Sequence, residues 1–270
     1  MPSSLRPLLL CGLLPLAACA QQAQDGLLTG YVTDSNRADA QPVVGATVQT
    51  HSAENEKLDQ VQTGENGTFQ AKIPFGGGFF VQIDGGADTV PTSFTAASLY
   101  GIVEAQPGDL WTRTASQLDA IRAEFSTCPG ATASGGIVEG EVRVLLPVEQ
   151  LDALPLVTTA TIQVIDAAGE SHAACYLDDR GQSDPAATQT GATGRFAVFG
   201  VPPGVSRIEA QIFVPEEEPG GEDTGSGSDT GAGAGAGDTE DGGATIDLDP
   251  IPLRLVEGGV APLYPLWAQL

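Results

Sequence analysis

The chain has 270 residues, with 11 basic against 35 acidic side chains and a formal net charge of −24. Nucleic-acid binding depends on releasing counterions to Lys and Arg, so this charge excludes a phosphate-backbone partner; it also argues against electrostatic docking on anionic lipid headgroups and reads most simply as solubility. With 35 glycines, 19 prolines and 6% aromatic residues, the composition suits a turn-rich β protein of one large or two small domains.

The N-terminus carries one charge, Arg6, before the apolar run Leu8-Leu9-Leu10-Cys11-Gly12-Leu13-Leu14-Pro15-Leu16. A basic start, a short apolar stretch and small residues at its end are the parts of an export signal. The run is too short to cross a bilayer, which takes roughly twenty apolar residues. Leu16-Ala17-Ala18-Cys19 resembles the lipobox of bacterial lipoproteins. That resemblance implies a signal peptide over 1–18, cleavage before Cys19, and a thioether-linked diacylglyceryl group (with palmitate-like chains) on the Cys19 sulfur. It implies membrane attachment through that lipid. Because Ala20, not aspartate, follows Cys19, it also implies the outer membrane as destination. Residues 19–26 read as a polar tether.

The rest of the chain contains a degenerate duplication. The first unit runs Gly30-Tyr31-Val32, then Val43-Val44-Gly45-Ala46-Thr47-Val48, then Thr63-Gly64-Glu65-Asn66-Gly67-Thr68-Phe69, then Ile73-Pro74-Phe75-Gly76-Gly77. The second runs Gly140-Glu141-Val142, then Thr159-Ala160-Thr161-Ile162-Gln163-Val164, then Thr190-Gly191-Ala192-Thr193-Gly194-Arg195-Phe196, then Val201-Pro202-Pro203-Gly204. In Thr-Gly-x-x-Gly-x-Phe a glycine takes positive φ where the chain reverses, and the phenylalanine two residues on points into a core. Val-Pro-Pro-Gly makes a hairpin corner. Flanking runs such as Thr161 to Ile165 and Arg207 to Phe213 alternate faces with period two. Several short strands at this spacing predict an all-β sandwich architecture.

These landmarks resemble the carboxypeptidase regulatory-like domain, a transthyretin-like, Greek-key β-sandwich. The second unit carries the pattern well over 136–214; the first departs from it at Ile73-Pro74-Phe75-Gly76, where one proline is missing. The resemblance implies two sandwiches in tandem, over 27–112 and 135–270, acting as structural, spacing or binding modules. It carries no catalytic residues.

Between the units, residues 113–134 form a connector. Thr114-Ala115-Ser116-Gln117 has the spacing of a capping box, and Leu118, Ile121, Arg122 and Phe125 fall on one helical face, predicting a helix over about 115 to 126. Within the second unit, Glu216-Glu217-Glu218 opens a Gly/Ser/Asp/Thr tract without a large apolar residue. Such a tract cannot offset its own ordering entropy. Residues 215–245 therefore read as a disordered insertion in a hairpin, because alternation resumes at Ile251 and continues to Trp267.

Cys11 leaves with the signal and Cys19 takes the lipid, so Cys128 and Cys175 remain. In an exported chain they are expected to pair. The alternative is two unbonded thiols, which a Cα separation much above roughly 7 Å would establish. No cofactor and no metal centre are expected: the two histidines, His51 and His172, lie in no ligand spacing and read as surface residues at strand ends. Asp34 to Asp39 and the tract 216–249 offer oxygens for calcium, but neither has a calcium-loop pattern. No Gly-x-Ser-x-Gly elbow, His-Glu-x-x-His or phosphate-binding loop occurs. The expectation is a non-enzymatic, lipid-anchored envelope protein with a protein partner. The alternatives are a glycan-binding lipoprotein, which would need exposed aromatic platforms, and a hydrolase, which would need a cleft joining a histidine to a hydroxyl and a carboxylate.

Overall fold

The computed structural model describes residues 25–98, 102–145, 160–191, 193–215 and 243–269. The expected signal peptide over 1–18, Cys19, residues 20–24 of the expected tether and residues 216–242 of the expected insertion lie outside the described residues. The first half contributes β1 (Asp25–Tyr31), β2 (Thr47–Ser52), β3 (Lys57–Gln62), β4 (Thr68–Pro74), β5 (Gly77–Asp84), β6 (Thr89–Val90), β7 (Thr92–Ser98) and β8 (Ile102–Ala105). The connector holds β9 (Arg113–Thr114) and α1 (Ala115–Glu124). The second half contributes β10 (Gly136–Leu145), β11 (Ala160–Ile165), β12 (Ser171–Ala173), β13 (Cys175–Leu177), β14 (Ser183–Asp184) and β15 (Arg195–Val201). It ends with β16 (Gly204–Pro215), β17 (Gly243–Asp247), β18 (Ile251–Leu255) and β19 (Val260–Gln269).

The class is all-β. Sheet β4-β1-β8 packs on β7-β5-β2-β3 around Leu28, Val48, Phe69, Phe79, Val81 and Ile83. Strand β4 shows why: Phe69, Ala71 and Ile73 are buried while the residues between them are exposed, the period of a half-buried strand. The second half repeats the scheme. Its strands β15-β10-β19 face β16, β11 and β18 around Val138, Ile162, Tyr176, Phe196, Leu253 and Leu255.

The duplication is visible bond by bond. Gly30 lies opposite Phe69, and Gly140 lies opposite Phe196. The Val32 amide donates to the Gly67 carbonyl, and the Val142 amide to Gly194, each at 2.9 Å. In the turns, Gly67 donates to Gly64 and Gly194 to Gly191. Buried Thr63 accepts the Ala46 amide on its hydroxyl at 2.9 Å, and buried Thr190 accepts the Ala160 amide at 3.0 Å. The repeat therefore has a mechanical content: each threonine ties the turn of one sheet to the first residues of a strand in the other.

Two expectations are adjusted by the structure. The tandem sandwiches are joined edge to edge, because β19 runs parallel to β10 on one side and meets β7 on the other at Val260 and Thr92. A single nine-stranded sheet, β14-β13-β15-β10-β19-β7-β5-β2-β3, thus passes through both halves. Ordered pairing also reaches further into the segments expected to be irregular. Strand β1 starts at Asp25 inside the presumed tether, and Pro215 pairs with Gly243 inside the presumed insertion.

Helix α1 ends at Glu124, slightly short of the predicted end, and its capping box is formed as the spacing requires. The Gln117 amide donates to the Thr114 hydroxyl, and the Thr114 amide donates to the Gln117 side chain. Leu118, Ile121 and Phe125 bury against Ile137, Leu177, Phe199 and Val260 in a third core that lies on the back of the shared sheet.

The Gly-x-Val glycines mark where neighbouring strands press closest. A Cβ on Gly140 would lie 2.6 Å from the Phe196 ring and 2.7 Å from the Leu263 carbonyl oxygen. Gly140→Ala should cost about 1–3 kcal/mol, the range for overpacking a filled core. Gly64→Ala, whose Cβ would have only ordinary contacts beyond 3.5 Å, should cost less. Urea denaturation of both variants checks the difference.

Candidate functional site

Cys19 lies outside the described residues. Of the other two site residues, Cys128 follows α1 and Cys175 sits in β13, and the fold brings them together. They are joined as a disulfide with Cα atoms 6.0 Å apart, inside the span a disulfide accepts. Both are buried in the third core, where the crosslink ties the connector to the shared sheet. Ion pairs do the same. Arg195 of β15 grips Glu124 of α1 with both guanidinium nitrogens, and Arg113 of β9 pairs with buried Glu139 of β10.

A second arrangement, not signalled by the sequence, lies at the seam between the halves. On β18, Leu253 and Leu255 point into the second core while Arg254 points the other way, toward the first half. Its guanidinium donates to the side chains of Asn55, in the β2–β3 turn, and Gln82, on β5. One residue pair away, the Thr95 hydroxyl donates to the Pro252 carbonyl at 2.7 Å. Asn55 has a φ of 68°, a left-handed conformation that asparagine tolerates better than most residues.

His51 belongs to this seam and corrects the expectation of a surface residue. It is only 4% exposed, opposite Phe80 on β5, and neither ring nitrogen has a hydrogen-bond partner. Burial lowers its pKa, and the nearby cation Arg254 lowers it further, with a lesser contribution from Lys57. Residue type alone could not reveal this: a histidine at a strand end is ambiguous until the covering element, here β18, is known. His172 is partly exposed, and its Nε2 lies 2.9 Å from the Asp166 carboxylate. Asp166 also accepts the Ala168 and Glu170 amides, so its pKa is held low, first by His172 and then by the Glu170 amide. This pair closes the β11–β12 turn and leaves the carboxylate fully engaged.

Between the halves is an apolar hollow of about 490 Å³, lined by Leu28, Phe94, Val103, Trp111, Ile251 and Leu263 among others. Trp111 is buried there, edge-on to Phe94 with ring centroids 4.8 Å apart. Among the described residues, no group of three or more His, Cys, Asp and Glu side chains is placed to hold a metal ion, and no helix is long and apolar enough to cross a membrane. In the loop considered for calcium, the Asp34 carboxylate accepts the Gln41 amide and the Ser35 hydroxyl.

No family model matches the chain. No curated protein matches it either. Solved structures align along most of its length at low identity. The Bacillus anthracis TIE protein aligns at 12% identity over 91% of this chain with a TM-score of 0.26, and the chain spans only 33% of that protein's length. The shaft pilin SpaA of Lactobacillus rhamnosus GG aligns at 9% identity over 89% of this chain and 99% of its own, again with a TM-score of 0.26. The minor pilin GBS52 of Streptococcus agalactiae aligns at 8% identity over 90% of this chain and 95% of its own, with a TM-score of 0.23. TM-scores this low fall short of a shared fold.

Two measurements follow from this geometry. At a sequence separation of 47, Cys128 and Cys175 close a long loop, so replacing both with alanine should cost about 2–4 kcal/mol. Thiol labelling of denatured, unreduced wild type should find neither sulfur free. For His51 the sign is set by its lowered pKa. Above about pH 6.5 both folded and unfolded states hold it neutral, and below that the unfolded chain takes up the proton more readily. Its contribution to stability is therefore full above that pH and declines as pH falls toward the folded-state value. The drop in urea midpoint between neutral and mildly acid buffer should be larger in wild type than in His51→Gln.

Proposed function

We propose that this protein is a non-enzymatic scaffold of the cell envelope, held on the outer membrane by a lipid on Cys19 and presenting its sandwiches to a protein partner. The supporting observation is the way the two halves are joined. Strand β19 pairs with β10 and reaches β7, Arg254 and Thr95 bind across the seam, and the Cys128–Cys175 crosslink ties the connector in. These contacts set the two sandwiches in one mutual orientation. Strand pairing begins at Asp25, six positions after Cys19. A tether of that length reaches at most about 20 Å, so a lipid on Cys19 would hold the first sandwich close to the bilayer. Two or more acyl chains are enough for stable attachment where one is not.

The glycan-binding reading is not proposed. It needs a platform of exposed rings; Trp111 and Tyr176 are buried, and the exposed Tyr31 and Phe75 sit at opposite ends of the first sandwich. Nor is a hydrolase: His51 is enclosed in the seam, and the partner of His172 is Asp166, already committed to turn amides.

The test is Cys19→Ser. In detergent phase separation of whole-cell extract, wild type should enter the detergent phase, and the variant should stay in the aqueous phase or accumulate unprocessed. Equal partitioning and processing of the two proteins would remove the anchor. Crosslinking in intact cells should then recover a specific protein partner with wild type, and that partner should be lost or reduced with the variant.

A further inference from the structure

The position of the first strand assigns a direction to the molecule. Asp25, the first residue of β1, pairs with Pro74, the last residue of β4, so the β4–β5 hairpin tip lies beside the point where the N-terminal segment enters the fold. The tip is Phe75-Gly76, with φ of 72° at Gly76 and 91° at Gly77. Both values fall in the left-handed region that glycine occupies freely, so the chain turns back at once and leaves Phe75 projecting. Phe75 is 53% exposed, and open space surrounds Gly77.

Other groups gather at the same end. The Lys72 amide donates to Asp59 at 2.9 Å, which sets the start of β3 against the end of β4. Leu58, itself partly exposed, therefore lies near the tip. Both lysines of the chain, Lys57 and Lys72, are at this end, together with Glu54, Glu56 and Asp59. The charges leave no positive surplus, so attraction to anionic headgroups is not what this end offers. It offers an aromatic ring on a narrow tip, with aliphatic lysine stems beside it. That is the composition that settles at a membrane–water boundary, where an apolar body is buried and polar ends stay wet.

We infer that this end of the first sandwich rests on the bilayer interface, with Phe75 inserted among the lipids. The inference rests on the Cys19 anchor proposed above, because the short tether is what brings the tip within reach. Lipid chains at Cys19 and a ring at Phe75 form two attachment points at one end of the first sandwich, and two points restrict its tilt where one allows it to swing. The opposite end carries a matched control: Val44 precedes β2 there and is 61% exposed, yet it faces away from the tether.

The test uses lipidated full-length mature protein in phosphatidylethanolamine/phosphatidylglycerol vesicles containing brominated lipid. A single added tryptophan is read against the fluorescence of the parent, which holds Trp111 and Trp267. Phe75→Trp emission should shift to the blue and be quenched by the brominated lipid, and added salt should not reverse this. Val44→Trp should be neither shifted nor quenched. Leu58→Trp is a second probe of the same end and should also be quenched, guarding against a local disturbance at position 75. If Phe75→Trp and Leu58→Trp are as unquenched as Val44→Trp while the protein still floats with the vesicles, the orientation is wrong and the anchor stands. If the parent protein does not float with the vesicles at all, the anchor fails and the orientation fails with it.

Discussion

Each sandwich depends on one polar contact in an apolar setting, the threonine that starts the Thr-Gly-x-x-Gly-x-Phe turn. Thr63 receives the Ala46 amide and donates to the Val43 carbonyl at 2.6 Å; its own amide donates to the Ala46 carbonyl. Thr190 holds the Ala160 amide and donates its own amide to the Ala160 carbonyl. A backbone amide buried without a partner costs as much as a lost hydrogen bond or more, so these threonines settle where β2 and β11 begin. With those starts fixed, the period of two in each strand decides which side chains meet across the core. The two glycines that follow reverse the chain, and Phe69 or Phe196 then fills the space opposite Gly30 or Gly140. A serine could make the same bonds, but it would leave the space of the threonine methyl empty in a packed interior.

The seam between the halves obeys a different rule. Inside each sandwich the contacts are apolar and their volumes match. At the seam they are polar and few: Arg254 on Asn55 and Gln82, Thr95 on Pro252, with His51 and the Ser93 hydroxyl buried without partners. Burying such groups costs free energy that apolar contacts do not. The seam is therefore held by geometry as much as by attraction. Strand β19 belongs to the second half by its long pairing with β10 and meets the first half where Val260 lies opposite Thr92 and its amide donates to the Pro91 carbonyl. Separating the halves would break little backbone pairing, and it would wet His51 and Arg254, whose charged forms burial disfavours.

How much of this could be read in advance follows from the range of each signal. Local signals were legible. The capping box at Thr114 and Gln117, the buried Leu118, Ile121 and Phe125, the inward Phe69 and Phe196, and the hairpin ends around the acidic tract all depend on neighbours within a few residues. Strand alternation showed which face of Ile251, Leu253 and Leu255 would be apolar, but alternation does not say which sheet a strand joins. That is why the passage of β19 into a parallel position between β10 and β7 was not visible, and with it the shared nine-stranded sheet. The burial of His51 follows from the same blind spot. It is covered by β18, about 200 residues further along the chain, and nothing near position 51 encodes that cover. The pairing of Cys128 with Cys175 came from counting thiols in a chain whose N-terminus reads as an export signal, which suggests that a bond should form and says nothing of where it sits.

The crosslink is placed where it compensates for the weakest element of the design. Helix α1 and the loop after it hold on through the buried Leu118, Ile121, Phe125 and Ala131, the Glu124–Arg195 ion pair and the hydrogen bonds of Thr127 to Ser183. Were that segment to detach, Ile137, Phe199 and Val260 would be exposed on the back of the shared sheet. Val260 is the residue at which the second half meets the first. Joining Cys128 to Cys175 restricts the segment in the unfolded chain and pins it over that junction in the folded one. The disulfide thus protects the union of the two halves from behind, while Arg254 and the Thr95–Pro252 contact hold it from the front. So narrow a join is thereby secured on both of its faces.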